Sequence, residues 1–595
     1  ALPILVEGLN RLEYRGYDST GVAINNGTIN SHKCVGKVAD LVEILPPNIT
    51  GDIGIAHTRW ATHGGVTNAN AHPHFDGSNR IAIVHNGILD NAKQLRSRLE
   101  SRGTIFRSET DSEVLAHLIS IGLGAGQTPE NAVKSALNQV TGTWGLCVIF
   151  QDYELLICAR NGSPLIVGKG AGENFISSDP HALSQYTQNL FFLEDGDVAI
   201  ITSNTVSISR QDGGSSSTEM TVVDSEWEDS DLGDYPHYMI KEIYEQPDAL
   251  RRCISGRLDY PNGSTKMSGL KAAPVDLREA PHVRLIGCGT ALNACNIGAL
   301  AIEELARIPA HTHVASEFRY NDPVIDTKAF HFAVSQSGET ADTLSAVKEI
   351  QLKGGNVHGI INVVGSTIAR QCGQGLYIHS GPEQAVASTK AFTNMVASLL
   401  MFAIKIGRTR SFTMERGRVL IDEFNKIPEL MGSYLEDIGP IDEAVDLIKD
   451  AKSVIFLGRG LSVPVAKEGA LKLMEVSYIP CLAYPAGEMK HGPIALLEEG
   501  SPVVVIAPND RHKKKTISSM HECKARGAKI ILIHEKGDDE IAHEADISIP
   551  VPSCDKLLTP LLTIIPIQLL AYKTALALGC DVDRPRNLAK SVTVE

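Results

Sequence analysis

The residues Ser335-Gln336-Ser337-Gly338-Glu339-Thr340 follow the apolar run Phe332-Ala333-Val334 and precede a helical pattern over 341–352. A buried parallel strand that breaks into hydroxyls and glycine, then turns into a helix, offers unpaired backbone N–H groups and a positive dipole end to an anion. Ser335, Ser337 and Thr340 add hydroxyl donors, so a phosphate suits this corner; the plainer alternative is helix capping. Lys472 and Glu475 stand three apart on a helical pattern and share a face, where a surface ion pair is the default reading. His491 lies in the glycine-flanked Gly487-Glu488-Met489-Lys490-His491-Gly492-Pro493, a position suited to proton transfer, although a single histidine is more often structural. Lys590 sits in the tail 583–595, an ordinary exposed charge unless the tail folds back into a site.

The N-terminal half has three dense stretches: His57-Thr58-Arg59-Trp60-Ala61-Thr62-His63-Gly64, His85-Asn86-Gly87 and Ser108-Glu109-Thr110-Asp111. Arg59 could hold a carboxylate bidentately and Asp111 an ammonium. The amides of Asn86 and Gly87 could stabilise an oxyanion, unless Asn86-Gly87 is simply a type I′ turn. His72-Pro73-His74 looks like part of a metal site, but nothing nearby completes a ligand set, so no metal is expected. No Cys, Ser or Thr in these stretches stands beside a credible base.

These groups need elements to hold them. Residues 1–223 read as short strands and loops with helical patterns at 2–12 and 111–121; alternating runs such as Ile81-Ala82-Ile83-Val84 and Cys147-Val148-Ile149-Phe150 suggest sheets packed with helices. Gly213-Gly214-Ser215-Ser216-Ser217 marks a hairpin tip or flexible loop. Six acids in the eleven residues from Asp224 to Asp234 read as a solvated linker. From about Tyr238 strands alternate with longer helices, the α/β pattern, and an internal repeat appears. Gly287-Cys288-Gly289 recurs as Gly458-Arg459-Gly460, an offset of 171 residues, and the same offset pairs Ile308-Pro309 with Ile479-Pro480, Ala315 with Ala486 and Glu317 with Glu488. Two copies of one nucleotide-binding-like α/β unit follow, with ligands expected at the carboxyl ends of strands. No complete GxGxxG with a downstream ribose acid is present, so a dinucleotide is disfavoured and no organic cofactor is expected.

At 595 residues the chain exceeds one core, and about 150 residues per domain gives three or four. Its formal charge of −15 makes nucleic acid an unexpected partner. Eleven scattered cysteines without a CxxC pair argue against a disulfide framework or a structural zinc and fit a reducing cytoplasm. The most apolar late segment, 557–572, is interrupted by Thr559, Pro560, Pro566 and Gln568, so no membrane span is expected.

Taken together the chain resembles the family of glutamine–fructose-6-phosphate aminotransferases (isomerizing) over nearly its whole length. The likeness rests on Arg15-Gly16-Tyr17-Asp18, the 57–64 stretch, Asn86-Gly87, Ser108 to Asp111, Cys288-Gly289-Thr290, Ser335 to Thr340, Val386-Ala387-Ser388-Thr389-Lys390, Lys490-His491-Gly492-Pro493 and the Lys590 tail. Each motif is modest alone; their order and spacing are specific. The resemblance implies an α/β and α+β multidomain chain. An N-terminal-nucleophile (αββα) glutaminase at 1–223 and a linker at 224–240 would precede tandem α/β sugar isomerase domains at 241–440 and 441–580, with a tail at 581–595 completing their site. It implies that Arg59, Thr62 and His63 hold the α-carboxylate side of glutamine, Asp111 its amino group, and Asn86 with Gly87 the oxyanion, while Trp60 gates an ammonia tunnel. Thr290, Ser335, Gln336, Ser337, Thr340, Val386 and Ser388 would contact the sugar phosphate. Lys590 would form a Schiff base with fructose 6-phosphate, Glu475 would move a proton between adjacent carbons, and His491 would open the ring with Lys472 assisting. A homodimer is the expected assembly.

Two departures stand out. The family's nucleophile is a cysteine at the mature N-terminus with its own amine as base, whereas this chain begins Ala1-Leu2-Pro3; matching 2–12 to the family helix leads one to expect a missing turn and strand before Ala1. Without that cysteine the sequence as given is not expected to hydrolyse glutamine, whereas the parent protein that carries it is, and Cys34 lies in no matching context. Ala291 follows Thr290 where the family usually has serine, a lost donor worth about 1 kcal/mol. One rival reading is a non-catalytic sugar-phosphate sensor, which would not need Glu475, His491 and Lys590 together. Another is the purine-pathway phosphoribosyl amidotransferase, which would carry a phosphoribosyl motif where the repeat stands.

Overall fold

The computed structural model describes residues 1–13, 16–60, 64–222, 232–270 and 277–593. The chain divides into two compact units, residues 1–228 with 591–595, and residues 229–590.

Period-two alternation builds the first unit in layers. In strand Ile81–Asn86, Ile81 and Ile83 face one core while Ala82 and Val84 face another; in Trp144–Phe150, Leu146, Val148 and Phe150 oppose Cys147 and Ile149 in the same way. Both strands belong to a six-stranded antiparallel sheet. One face is covered by helices Ala92–Glu100, Glu113–Gly124 and Pro129–Leu137, whose Leu95, Val114, Leu118 and Val133 complete that core. The other face packs on the three-stranded sheet of Ser19–Asn25, Ile29–Val35 and Ile53–Arg59 through Ala23 and Ile55. Val22 and Ile24 on its far side meet helices Leu2–Leu12 and Val38–Ile44. The order of layers is helix, sheet, sheet, helix. Three of these helices carry no clear sequence signal, because at seven to nine residues they show barely two turns of apolar period. Of the linker expected at 224–240, residues 224–231 lie outside the described residues, and helix Tyr238–Tyr244 already packs in the second unit through Met239 and Ile243.

The second unit contains two parallel five-stranded sheets of identical order. The first runs Ala310–Val314, Val283–Gly287, Phe330–Ser335, Val357–Ile361, Gly375–Tyr377; the second runs Cys481–Pro485, Val454–Gly458, Pro502–Ile506, Lys529–Glu535, Ile547–Val551. In chain order each is 2-1-3-4-5, with a topological switch point between first and third strands. The 171-residue offset superposes the first two strands of each copy without a shift, and it also pairs Arg307 (φ 57°) with Tyr478 (φ 63°), the left-handed caps ending the first helices. Each sheet is buried on both faces. Phe330, Phe332 and Val334 of one, and Val504 and Ile506 of the other, share a central core with helices Gly289–Ala306, Lys390–Arg408, Ser462–Ser477 and Thr559–Ala577.

The apolar segment interrupted by prolines in the sequence forms one continuous helix, Thr559–Ala577. Pro560 occupies the first turn, where an N–H has no intrahelical acceptor. Gln568 is buried but satisfied by Gln246 Nε2 at 2.8 Å. This helix and Lys390–Arg408 are long and apolar enough to cross a membrane by length and composition, yet 94% of the apolar window of Lys390–Arg408 and 83% of that of Thr559–Ala577 is buried inside the unit. Their apolarity is that of core helices.

Candidate active site

At the switch point of the first copy, strand Phe330–Ser335 delivers its carboxyl end to helix Ala341–Leu352. Ser335 Oγ accepts the Gly338 N–H at 3.0 Å and lies 3.0 Å from Thr340 Oγ1; Ser337 Oγ accepts the Glu339 N–H at 3.2 Å. These bonds stiffen the loop from within and do not cap helix Ala341–Leu352, whose N-cap Thr340 makes no side-chain capping hydrogen bond. Glu339 turns its carboxylate away to accept the Thr367 N–H at 2.8 Å, which leaves the strand end without a facing negative charge from that residue. Gly338 is required: its φ is 65°, and a Cβ there would lie 2.0 Å from Ser366 Oγ. Gln336 is half-buried beside Ser335, and its carbonyl accepts the Asn362 N–H at 3.2 Å.

The second copy supplies a different set. Helix Ser462–Ser477 turns Lys472 inward, 1% exposed, so the surface pair expected for Lys472 and Glu475 is instead a buried one, 2.6 Å long. The difference arises because this face packs on helix Thr559–Ala577 and helix Gly289–Ala306 instead of water. Glu468, one turn earlier, lies 3.6 Å from Lys472 and accepts Thr290 Oγ1 at 2.9 Å and Asn293 Nδ2 at 2.8 Å. Burial lowers the Lys472 pKa, but the charges of Glu475 and Glu468 outweigh it and the net shift is upward, so the amine is held as an ammonium. Burial raises the Glu468 carboxyl, against the pull of Lys472. Thr290 spends its hydroxyl hydrogen on this network.

The third component is the C-terminal stretch. Lys590 is not an exposed tail charge. Its Nζ donates to Glu383 Oε2 at 2.5 Å, with the two side chains 2% and 0% exposed. Glu383 is fully engaged: Ser388 Oγ donates to the same oxygen at 3.0 Å, and the Thr389 and Ala391 N–H groups at the start of helix Lys390–Arg408 donate to the other at 2.9 and 3.0 Å. Burial opposes ionisation of Glu383, but the Lys590 charge and these donors win, and its pKa falls below the ordinary value. Two anchors bring the stretch home: the Val386 N–H donates to the Asp583 carbonyl at 2.9 Å, and Arg586 donates its N–H to Tyr478 Oη at 2.7 Å while its guanidinium lies 4.1 Å from that ring centre. Lys472 also senses the Glu383 charge, so it shares an electrostatic neighbourhood with the Lys590–Glu383 pair. His491 ends the 3-10 helix Ala486–His491, is exposed, and makes no hydrogen bond to this network among the described residues. Glu383 and Glu468 carried no motif; their only sequence signal was an acid just upstream of Val386 and another one turn ahead of Lys472.

In the first unit, Arg59 ends strand Ile53–Arg59, is 4% exposed, and donates to the carbonyls of Gly65 and Gly64 at 3.4 and 3.5 Å. Asp111 accepts the Leu89 N–H at 2.9 Å; burial lowers the Arg59 pKa, with the Asp18 and then the Asp111 charge opposing it. Asn86-Gly87 is not a hairpin turn: strand Ile81–Asn86 pairs with Trp144–Phe150 and His74–Phe75, and a Cβ on Gly87 (φ 147°) would meet the Thr143 carbonyl at 2.1 Å. Trp60 packs edge-on against Tyr17 with ring centres 6.2 Å apart. Thr62 and His63 lie outside the described residues. His57 and His72 lie tilted and His72 and His74 edge-on, each pair with ring centres 4.4 Å apart, and burial drives His57 and His74 down to about 3, so they are neutral; no group of three or more potential ligands forms a metal site among the described residues. Burial and then Asp40 push the Cys34 thiol up, the reverse of what a nucleophile needs.

Comparison with known proteins adds three findings. A glutamine amidotransferase domain model matches residues 57–185, and the SIS domain model matches twice, over 276–405 and 447–578. Over all of this chain and 98% of theirs, proteins named glutamine–fructose-6-phosphate aminotransferase [isomerizing] are similar: 46% identical from Thermus thermophilus and 43% from Chlorobaculum tepidum. The solved C-terminal domain of glucosamine-fructose-6-phosphate aminotransferase from Francisella tularensis is 36% identical, with a TM-score of 0.56, covering 60% of this chain and 100% of its own.

Proposed function

The chain belongs to the isomerizing glutamine–fructose-6-phosphate aminotransferase family, and from that premise we propose that it moves the amide nitrogen of glutamine onto fructose 6-phosphate, yielding glucosamine 6-phosphate and glutamate. The observation that carries the isomerase half is the buried Lys590–Glu383 pair beside Ser388, which a passive sugar-phosphate sensor would have no reason to bury. In this reading the phosphate binds at Ser335, Gln336, Ser337 and Thr340, with Thr290, Val386 and Ser388 lining the sugar. His491 opens the ring. Lys590 passes a proton to Glu383 and its free amine attacks the C2 carbonyl to form the imine. Glu475 then carries a proton between C1 and C2, with the Lys472 ammonium stabilising the enolate-like charge that develops.

At the glutamine end, Arg59 with Thr62 and His63 takes the α-carboxylate side and Asp111 the ammonium. The Asn86 and Gly87 amides receive the oxyanion, and Trp60 gates the passage of ammonia. A homodimer in a reducing cytoplasm belongs to the same proposal; eleven free thiols agree with that compartment, and light scattering on the eluting protein checks the assembly. The direct test supplies ammonium and fructose 6-phosphate, which bypasses glutamine. Wild-type protein is expected to make glucosamine 6-phosphate and Lys590→Arg to lose at least about a thousandfold in turnover, the scale of losing a covalent catalyst. Equal product from both would overturn the assignment.

A further inference from the structure

Glu468 is wholly buried, and no step above uses it. It belongs to helix Ser462–Ser477 of the second copy, yet both its carboxylate oxygens are met from helix Gly289–Ala306 of the first. Oε1 accepts the Thr290 hydroxyl at 2.9 Å and Oε2 accepts Asn293 Nδ2 at 2.8 Å. Lys472 lies farther off, at 3.6 Å, and has a closer partner in Glu475 at 2.6 Å. Nothing in the α/β repeat demands this bridge between copies. The 171-residue offset sets Leu461 against Thr290, Pro464 against Asn293 and Ile297 against Glu468, so each position has an apolar equivalent. A carboxylate is costly to hold out of water where the other copy uses isoleucine, and what it brings is these two bonds.

The consequence falls on Thr290. It is half-buried just past the carboxyl end of strand Val283–Gly287, the neighbour of strand Phe330–Ser335 at the switch point. A hydroxyl has one hydrogen and two lone pairs. With an ammonium and two donors around it, Glu468 accepts at both oxygens, so the Thr290 hydrogen is committed to it. Toward a ligand Thr290 then offers lone pairs only. At neutral pH a phosphate ester presents acceptor oxygens, whereas a sugar chain presents hydroxyl donors. The Thr290 oxygen therefore suits a sugar hydroxyl and turns away a phosphate oxygen. Ala291 follows it, so no second hydroxyl in the first turn of this helix relaxes that choice. The Ser335–Thr340 pair differs: it has two hydroxyl hydrogens, spends one across its 3.0 Å contact and keeps the other for an anion.

We propose that Glu468 is a positioning residue that fixes Thr290 as a hydrogen-bond acceptor, so that Thr290 recognises a hydroxyl of the sugar chain and takes no part in holding the phosphate. The proposal rests on reading this strand end as the fructose 6-phosphate site. It divides the recognition between the two helix starts: uncharged donors after strand Phe330–Ser335 take the phosphate, and a single oriented acceptor after strand Val283–Gly287 selects the sugar.

The test is calorimetric titration of the whole chain with inorganic phosphate and with fructose 6-phosphate. Thr290→Val should weaken fructose 6-phosphate about tenfold, the scale of one hydrogen bond, and leave inorganic phosphate within about twofold. Thr290→Ser, which keeps the oxygen, should restore the sugar. Glu468→Ile, the residue of the other copy, should also weaken fructose 6-phosphate and spare inorganic phosphate. Combined with Thr290→Val it should add nothing, because it acts through the same hydroxyl. A merely structural Glu468 would instead weaken both ligands and multiply the Thr290→Val loss, and either result overturns the proposal. Inorganic phosphate weakened by Thr290→Val as much as fructose 6-phosphate overturns it too. A wild type that does not bind fructose 6-phosphate overturns the reading of the site itself. Should Glu468→Ile not fold, monodeoxy analogues of fructose 6-phosphate replace it: one must bind the wild type about tenfold more weakly than the parent sugar and bind Thr290→Val as it binds the wild type. A panel with no such analogue overturns the proposal.

Discussion

At the end of its third strand the first α/β copy carries Ser335-Gln336-Ser337-Gly338, where the second, 171 residues on, carries Ile506-Ala507-Pro508-Asn509. On the first helix the relation reverses: Ile297 and Ala301 pack into the shared core of the first copy, and the equivalent Glu468 and Lys472 are buried in the second. The backbones agree in sheet order, in the register of the first two strands and in the helix cap, while the third strand is shifted by one residue on the first and the loop after it turns left-handed at Gly338 in the first copy but not at Asn509 in the second. One copy offers uncharged donors for an anion; the other spends folding energy to bury an ion pair. Buried pairs seldom stabilise relative to apolar residues of similar volume, so the Glu468–Lys472–Glu475 cluster of the second copy, with the Lys590–Glu383 pair, marks where chemistry is done.

The sharpest way to break this division of labour is to give the second copy the residues of the first. Lys472→Ala alone should abolish ammonia-dependent turnover and cost about 3–5 kcal/mol in urea unfolding, because Glu468 and Glu475 lose their cation. Glu468→Ile combined with Lys472→Ala should regain much of that stability and none of the activity. Surviving turnover in either would show that both copies do the same work. A middle-sized effect is expected at the loops: Gly338→Ala should cost about 1–3 kcal/mol and raise KM for fructose 6-phosphate, since its φ and the Ser366 hydroxyl exclude a Cβ. The matching Asn509→Ala, exposed in the second copy, should change stability by less than about 0.5 kcal/mol and leave KM alone. The smallest contrast lies at the caps. Arg307→Gly should gain about 1 kcal/mol by relieving a left-handed residue, read as a rise in Tm. Tyr478→Gly relieves the same strain but removes the hydroxyl and ring that hold Arg586, so its turnover should fall while its Tm stays near wild type.

Much of this arrangement is legible from local pattern. Alternation in Ile81–Asn86 and Trp144–Phe150 announces a sheet buried on both faces, and a gap-free offset announces two α/β copies with matching strands. The hydroxyl loop is legible too, because a strand end followed by a helix start is a local event. Glu383 and Glu468 are not. Each is an isolated acid in the sequence, and what distinguishes it is the loss of water, which depends on helices some hundred residues or more away. The continuity of the helix over the apolar segment at 557–572 is not legible for a related reason: prolines that weaken an isolated helix are tolerated where the core already encloses it.

The amino-acid order by itself determined the layers, the repeat and the family, since these follow from periodicity and spacing that survive without a partner surface. Only the tertiary structure decided that Lys590 and Lys472 lie out of water beside chosen carboxylates. A lysine's reactivity is set by its dielectric surroundings and neighbouring charges, and those are assembled by contacts between residues far apart along the chain.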